Sequence, residues 1–183
     1  MLAALLVLTG SAQAPANTQL PAGSVVPTER HRSVARRVGS MLEGMHYSGS
    51  KLDDRLSAIV YARYIESIDG QHTSLLASDV AEFEQYKLRF DDMIRSGDVD
   101  PAFAIFARFQ QRNRERIKFA ITQLDKEPDW TLSESFEFDR EKAPWASSTA
   151  ELDEWWRKRV KNDALSLLLT GKDWPKTLEE LEG

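Results

Sequence analysis
The sequence predicts an all-α protein, five to six helices in an irregular helical domain, and two kinds of observation carry that prediction. Apolar residues recur three and four apart through most of the chain after residue 28, the period that lines one face of a helix. Residues that start and stop helices bracket those stretches, with Ser, Thr and Asp-Pro at the front and Gly at the back. Period-two alternation is confined to Phe136-Glu137-Phe138, which allows one short extended segment near 136–138.

Thr28 is placed to cap a first helix running to about Tyr47, with Val34, Val38, Met41, Leu42 and Met45 on one face, and Ser48-Gly49-Ser50 breaks it. A second helix spans about Leu52 to Ile68, its apolar side made by Leu56, Ile59, Val60, Tyr64 and Ile65, before a turn at Asp69-Gly70. Ser78 is the expected cap of a third helix, whose buried stripe is Val80, Phe83, Tyr86, Phe90, Met93 and Ile94 and whose stop is Gly97. Asp100-Pro101 starts a fourth: Asp accepts from open amides, and Pro at the first position surrenders an amide that has no partner there. It reaches about Leu124, with Phe103, Phe106, Ile117, Ile121 and Leu124 apolar and Arg and Gln concentrated over 108–118. Pro128 to Pro144 is less regular. Ser148 and Glu151 have capping-box spacing at the head of a fifth helix through Leu152, Trp155, Trp156, Val160 and Leu165 to Leu169, with Gly171 as its stop. Trp174-Pro175 opens a last helix, Leu178 to Leu181, barely two turns long where the chain reaches Gly183; that reads as a domain excised from a longer protein.

At 183 residues the chain fits one domain, or one domain plus a leader, large enough to bury a core without disulfides or metals. Net charge is −5 and no basic block suits a phosphate backbone, so the expected partners exclude nucleic acid. No cysteine is present, which removes disulfides, thiolate catalysis and Cys-ligated metals together. Leu2 to Leu8 is almost wholly apolar and is followed by small residues to Ala16, the pattern of a secretory signal peptide, although no Lys or Arg precedes the run. Cleavage fits either before Pro15 or, preferably, before Asn17; a buried N-terminal helix is the other reading. The run is far short of the ~20 residues that span a bilayer, so no transmembrane segment is expected.

A search for chemistry yields no catalytic residue. His31, His46 and His72 lack the helical zinc spacing, and no metal or other cofactor is expected. The pairs Asp53-Asp54, Asp91-Asp92 and Glu179-Glu180 point about 100° apart on a helix and read as solvated faces. Ser166 sits inside a helix with no Gly-rich turn, and no Gly-x-Ser-x-Gly elbow occurs. Two features remain as candidate interfaces. Arg108, Arg112, Arg114, Arg116 and Lys118 form either a solvated face or a contact to an acidic surface, with Arg112 and Arg116 singled out. Trp145, Trp155 and Trp156 are either core or partner contacts; adjacent Trp155 and Trp156 diverge, so one can be buried while the other meets a partner.

Four strings add a resemblance. Ser74-Leu75-Leu76-Ala77-Ser78-Asp79-Val80, Arg95-Ser96-Gly97, the run Phe138-Asp139-Arg140-Glu141-Lys142-Ala143-Pro144-Trp145, and Arg159 to Asp163 continuing through Leu165-Ser166-Leu167 to Lys172 keep their order and spacing. Over about residues 34 to 182 the chain resembles the N-terminal helical domain of the periplasmic tail-specific (carboxy-terminal-processing) serine protease family. The resemblance implies export to the periplasm and a parent with a PDZ domain, a serine protease domain using a Ser-Lys dyad, and a C-terminal helical domain. It implies protein substrates with apolar C-termini and, in some cases, a lipoprotein adaptor. No position here matches the dyad. The expected division is a signal peptide at 1–16, a loop or linker at 17–27, and a non-catalytic helical domain at 28–183 that serves architecture, substrate enclosure or adaptor docking. The competing readings are an independent periplasmic helical binding or chaperone module and, more remotely, a helical metalloenzyme.

Overall fold
A computed structural model of the chain describes residues 25–45 and 52–182. The expected signal peptide at 1–16, most of the 17–27 linker, His46 and the Ser48-Gly49-Ser50 break lie outside the described residues. Among those described there are seven α-helices: α1 Glu29–Met45, α2 Asp54–Asp69, α3 Ala77–Phe83, α4 Phe90–Ser96, α5 Asp100–Thr122, α6 Thr149–Leu168 and α7 Trp174–Glu182, with a 3₁₀ turn at Glu84–Tyr86. No strand forms among them. Phe136 to Phe138 run without regular structure, and the pairing closest to a sheet is a single parallel bridge between Leu76 and Ala146. The fold is all-α, as the periodicity requires.

Local chemistry explains most of the boundaries. Asp53 caps α2, its carboxylate accepting from the Leu56 amide at 3.1 Å. Ser148 caps α6 by accepting from the Glu151 amide at 3.3 Å, while the Glu151 carboxylate reaches back to the amide and hydroxyl of Ser147, each at 2.9 Å. Gly97 ends α4 and Gly171 follows α6, both with positive φ, a conformation that side chains with a Cβ rarely take. Asp100 is the first residue of α5 and not its cap; its carboxylate accepts from Arg32 of α1 at 2.7 Å.

Two expectations change. The single helix expected between Ser78 and Gly97 is broken, starts at Ala77 after Leu76, and turns between Phe83 and Phe90. Unbroken, it would carry its apolar stripe along a rod; folded, it delivers Phe83, Phe90 and Met93 to one core with Tyr61, Ile65, Leu75 and Ile105. The polar groups opened by the break find a partner on α2, where the Ser57 hydroxyl donates to the Lys87 carbonyl (2.9 Å) and accepts from the Phe90 amide (2.7 Å). Three residues of the α1 stripe face outward: Val34, Val38 and Met41 are exposed and Leu42 is half-buried, while Gly39 is buried.

The helices pack in pairs that are not all neighbours in sequence. α1 lies on α4, α2 on α4 and α5, α5 on α6, and α6 on α7. A second, smaller core of Leu76, Ala146, Leu152 and Trp156 joins the start of α3 to α6. Burying each of the fully enclosed Leu75, Ile105 and Leu152 contributes about 1.5–3 kcal/mol.

Candidate docking surface
The polar structure of the domain converges on the segment between α2 and α3. Asp69, buried at the end of α2, accepts from the amides of Thr73 (3.1 Å), Ser74 (3.1 Å) and Leu75 (2.8 Å) and so shapes the turn. Burial pushes its carboxyl above the ordinary range, and the three amides only partly offset this. His72, with a left-handed φ of 51°, stacks on Trp145 with ring centroids 3.7 Å apart. Its Nδ1 lies 2.6 Å from the Ala143 carbonyl oxygen, so that nitrogen carries the hydrogen. The Gln71 side chain accepts from the Arg140 amide, the Ala77 amide donates to Ala146, and Trp156 Nε1 donates to the Thr73 carbonyl at 2.8 Å. Residues 69–79, 140–146 and α6 are therefore laced into one junction.

Asp79 is its electrostatic centre. It is 1% exposed at the third position of α3, and its carboxylate accepts from the Leu76 amide at 3.1 Å. Arg112 meets both its oxygens, Nε at 2.8 Å and Nη2 at 3.0 Å, and Arg108 Nη1 lies at 2.6 Å. Burial drives the Asp79 carboxyl up, but Arg112, the Leu76 amide and Arg108 together outweigh it and hold the group below the ordinary carboxylate range. Arg112 also pairs with Glu115 at 3.2 Å. One turn on, Arg116 is buried and pairs with Asp153 of α6. Arg112 and Arg116 thus hold α5 to α3 and α6 within this chain.

Trp155 and Trp156 are both half-buried, with their rings edge-to-face 5.7 Å apart, but they pack against different neighbours. Trp156 packs into the smaller core and Trp145 against the larger one. Trp155 lines a surface groove of about 490 Å³ with Phe136, Phe138, Gln71, Thr73, Arg159 and Asp163. Phe136 lies 5.3 Å from the Trp155 ring and 4.6 Å from Phe138, which is 68% exposed. Trp155 Nε1 donates to the Glu137 carbonyl at 3.2 Å and tethers the aromatic loop to α6. Arg140 and Arg159 stand over the Trp155 ring at 5.6 and 5.7 Å, and Arg159 over Trp156 at 4.8 Å. Beside the groove, Glu134 accepts from Arg157 and from Lys161, the latter at 2.7 Å, and these two cations pull its carboxyl down to about 2.

Phe136, Phe138, Arg140 and Arg159 were not among the interface residues read from the sequence. Two signals point to them: the alternation at 136–138 sets both Phe rings on one side of an extended segment, and Arg159 stands four residues after Trp155, one helical turn along. Asp79 was legible only as part of a string. Of the doublets read as solvated, Asp91 is buried against Arg95 (3.0 Å) while Asp92 is exposed. Among the described residues no cluster of three or more His, Asp or Glu is placed to hold a metal ion, and no helix is long and apolar enough to cross a membrane.

The fold and its surfaces define an irregular all-α domain with a laced junction at its centre and an aromatic, guanidinium-flanked groove along one helix. A family model described as "Tail specific protease N-terminal domain" matches residues 38–183, and the chain belongs to that family. It is 36% identical over 161 residues to the Tail-specific protease of Haemophilus influenzae (strain ATCC 51907 / DSM 11121 / KW20 / Rd), an alignment covering 87% of this chain and 23% of that protein. The chain therefore spans about a quarter of the length of the curated relative it matches.

Proposed function
We propose that this chain is the non-catalytic N-terminal domain of a periplasmic tail-specific serine endopeptidase, and that it serves architecture, substrate enclosure or adaptor docking. The observation that carries the reading is the groove of Phe136, Phe138 and Trp155: exposed Phe138 beside half-buried Phe136 and Trp155, joined to α6 by the Trp155–Glu137 hydrogen bond, with Arg140 and Arg159 over the Trp155 ring. Aromatic and Arg side chains at a surface groove are what protein contacts use for affinity. The groups best suited to chemistry are otherwise engaged, with Asp79 saturated by two arginines and an amide. A short match to a much longer protease fits a domain that frames a site carried elsewhere in the parent. In this reading residues 1–16 direct export, and the PDZ and Ser-Lys protease domains belong to the same parent protein.

Cleavage of an apolar-tailed protein, compared between the full-length parent and this chain alone, tests the proposal. Turnover is expected from the parent only. Cleavage by the purified chain that persists after contaminant controls would overturn the non-catalytic assignment. Phe138→Ser in the parent is expected to weaken binding of the protein that docks in the groove about tenfold, the effect of one aromatic contact worth ~1.4 kcal/mol.

A further inference from the structure
We infer that the outward face of α1 is a seam for a single helix of definite chemistry, apolar on one side with acidic residues along one flank, supplied by another domain of the same full-length protein. The inference rests on the reading that this chain is one domain of a longer protease.

Val34, Val38 and Met41 are 52%, 44% and 58% exposed. Their spacing of four and then three keeps them within about 60° of one another around the helix axis. A stripe that narrow suits one helix laid along it, where a broad core-facing stripe would be wider than 100°.

The opposite face of α1 shows why the stripe cannot turn inward. A Cβ on Gly39 would come 3.2 Å from Ile94 Cγ2, and one on Gly97 would come 2.7 Å from the Arg32 carbonyl. Glycine is what lets α1 and α4 approach so closely. Arg32 pairs with Asp100 at 2.7 Å, and Glu43 with Arg95 at 2.7 Å, pinning α1 at both ends in that orientation. Rolling the helix to bury its valines would break both pairs and the close backbone contact.

The charges around the stripe select the occupant. Arg32 and Arg36 pair with Asp100 and Glu29. Arg30 and Arg37 project along one flank of the stripe, are exposed, and pair with no carboxylate among the described residues. An acidic-flanked helix would meet both. A second copy of this chain is a poorer fit, because antiparallel α1 helices would set their Arg30/Arg37 flanks against each other, and parallel ones would set them against Ala35 and Leu42, with no charge gained.

The test is a photo-crosslinking benzophenone amino acid in place of Val38 in the full-length protein, with Ser40, exposed away from the stripe, as the control position. The expected product is an intramolecular crosslink from 38, at least fivefold above that from 40, mapping by peptide analysis to an apolar helix with Asp or Glu on one flank. Arg37→Glu should cut that yield at least threefold, and reversing the facing acid should restore it. A crosslinked dimer, a crosslink to a different protein, or equal yields from 38 and 40 would each overturn the assignment. The two readings fail separately. A native gene encoding nothing beyond this domain sinks the protease-domain reading, whereas a multidomain parent whose residue 38 crosslinks elsewhere sinks only the seam.

Discussion
Around Asp79, two arginines and a backbone amide converge on a carboxylate that is 1% exposed, and chain segments more than sixty residues apart donate to one another's carbonyls. Along α1 the arrangement is reversed: small residues are packed inside, and Val34, Val38 and Met41 face out. Both regions hold helices in a definite register, the first by saturating buried polar groups and the second by removing side chains so that backbones can touch. The lesson is that burial in this domain follows what each helix is fastened to, and not its apolar stripe alone.

The largest test of that contrast is Asp79→Ala. It leaves Arg108, Arg112 and the Leu76 amide without their shared acceptor and is expected to cost about 3 kcal/mol, the low end for a broken buried pair because both arginines keep some contact with water. Denaturant unfolding of the chain measures it, and a loss under 1 kcal/mol would remove Asp79 from the centre of the junction. The same carboxylate sets a pH dependence. Its folded value is depressed, so its contribution is present in full above the ordinary value of 3.8 and is lost as pH falls through the depressed value. Asp69, raised by burial, acts in the opposite sense and becomes less of a burden as pH falls. Stability measured from neutral pH down to the acid limb should therefore fall less steeply in Asp79→Ala than in the parent sequence.

Glycine exchanges sharpen the other side of the comparison. Gly97→Ala is expected to cost about 2 kcal/mol, because φ is +75° and the new Cβ would sit 2.7 Å from the Arg32 carbonyl. Gly44→Ala, with open space around its Cβ, is expected to stabilise by about 0.5 kcal/mol. Thermal melts that moved both variants in the same direction would contradict the close-approach account of the α1–α4 pair. Smallest of all, Val38→Ser should change the stability of the isolated chain by no more than about 0.5 kcal/mol, as for an ordinary surface site. A loss of 2 kcal/mol there would mean that the stripe is buried within this chain after all.

Much of this was legible beforehand. Asp69-Gly70, Gly97, Ser148 with Glu151, and Gly171 mark element ends by local hydrogen bonding and backbone freedom, and each acts where the chain places it. The 100° step of a helix allows Trp155 and Trp156 different neighbours; in the structure both are half-buried with rings 5.7 Å apart, Trp156 packing on the smaller core and Trp155 lining the groove. The groove was only half legible, because Phe138 and Arg140 are distant in sequence from Trp155 and meet it through a loop without periodicity.

The sequence by itself determined that the protein is all-α and where most helices begin and end, because caps, stops and periodicity act over a few residues. Only the tertiary structure decided that the 78–97 helix breaks, that Arg112 and Arg116 turn inward, and that the valines of α1 turn outward. Each depends on a group far along the chain: the Ser57 hydroxyl, the Asp79 and Asp153 carboxylates, and the α4 backbone against Gly39. A helix has an apolar face by its own sequence, but what that face meets is set by neighbours the local pattern does not contain.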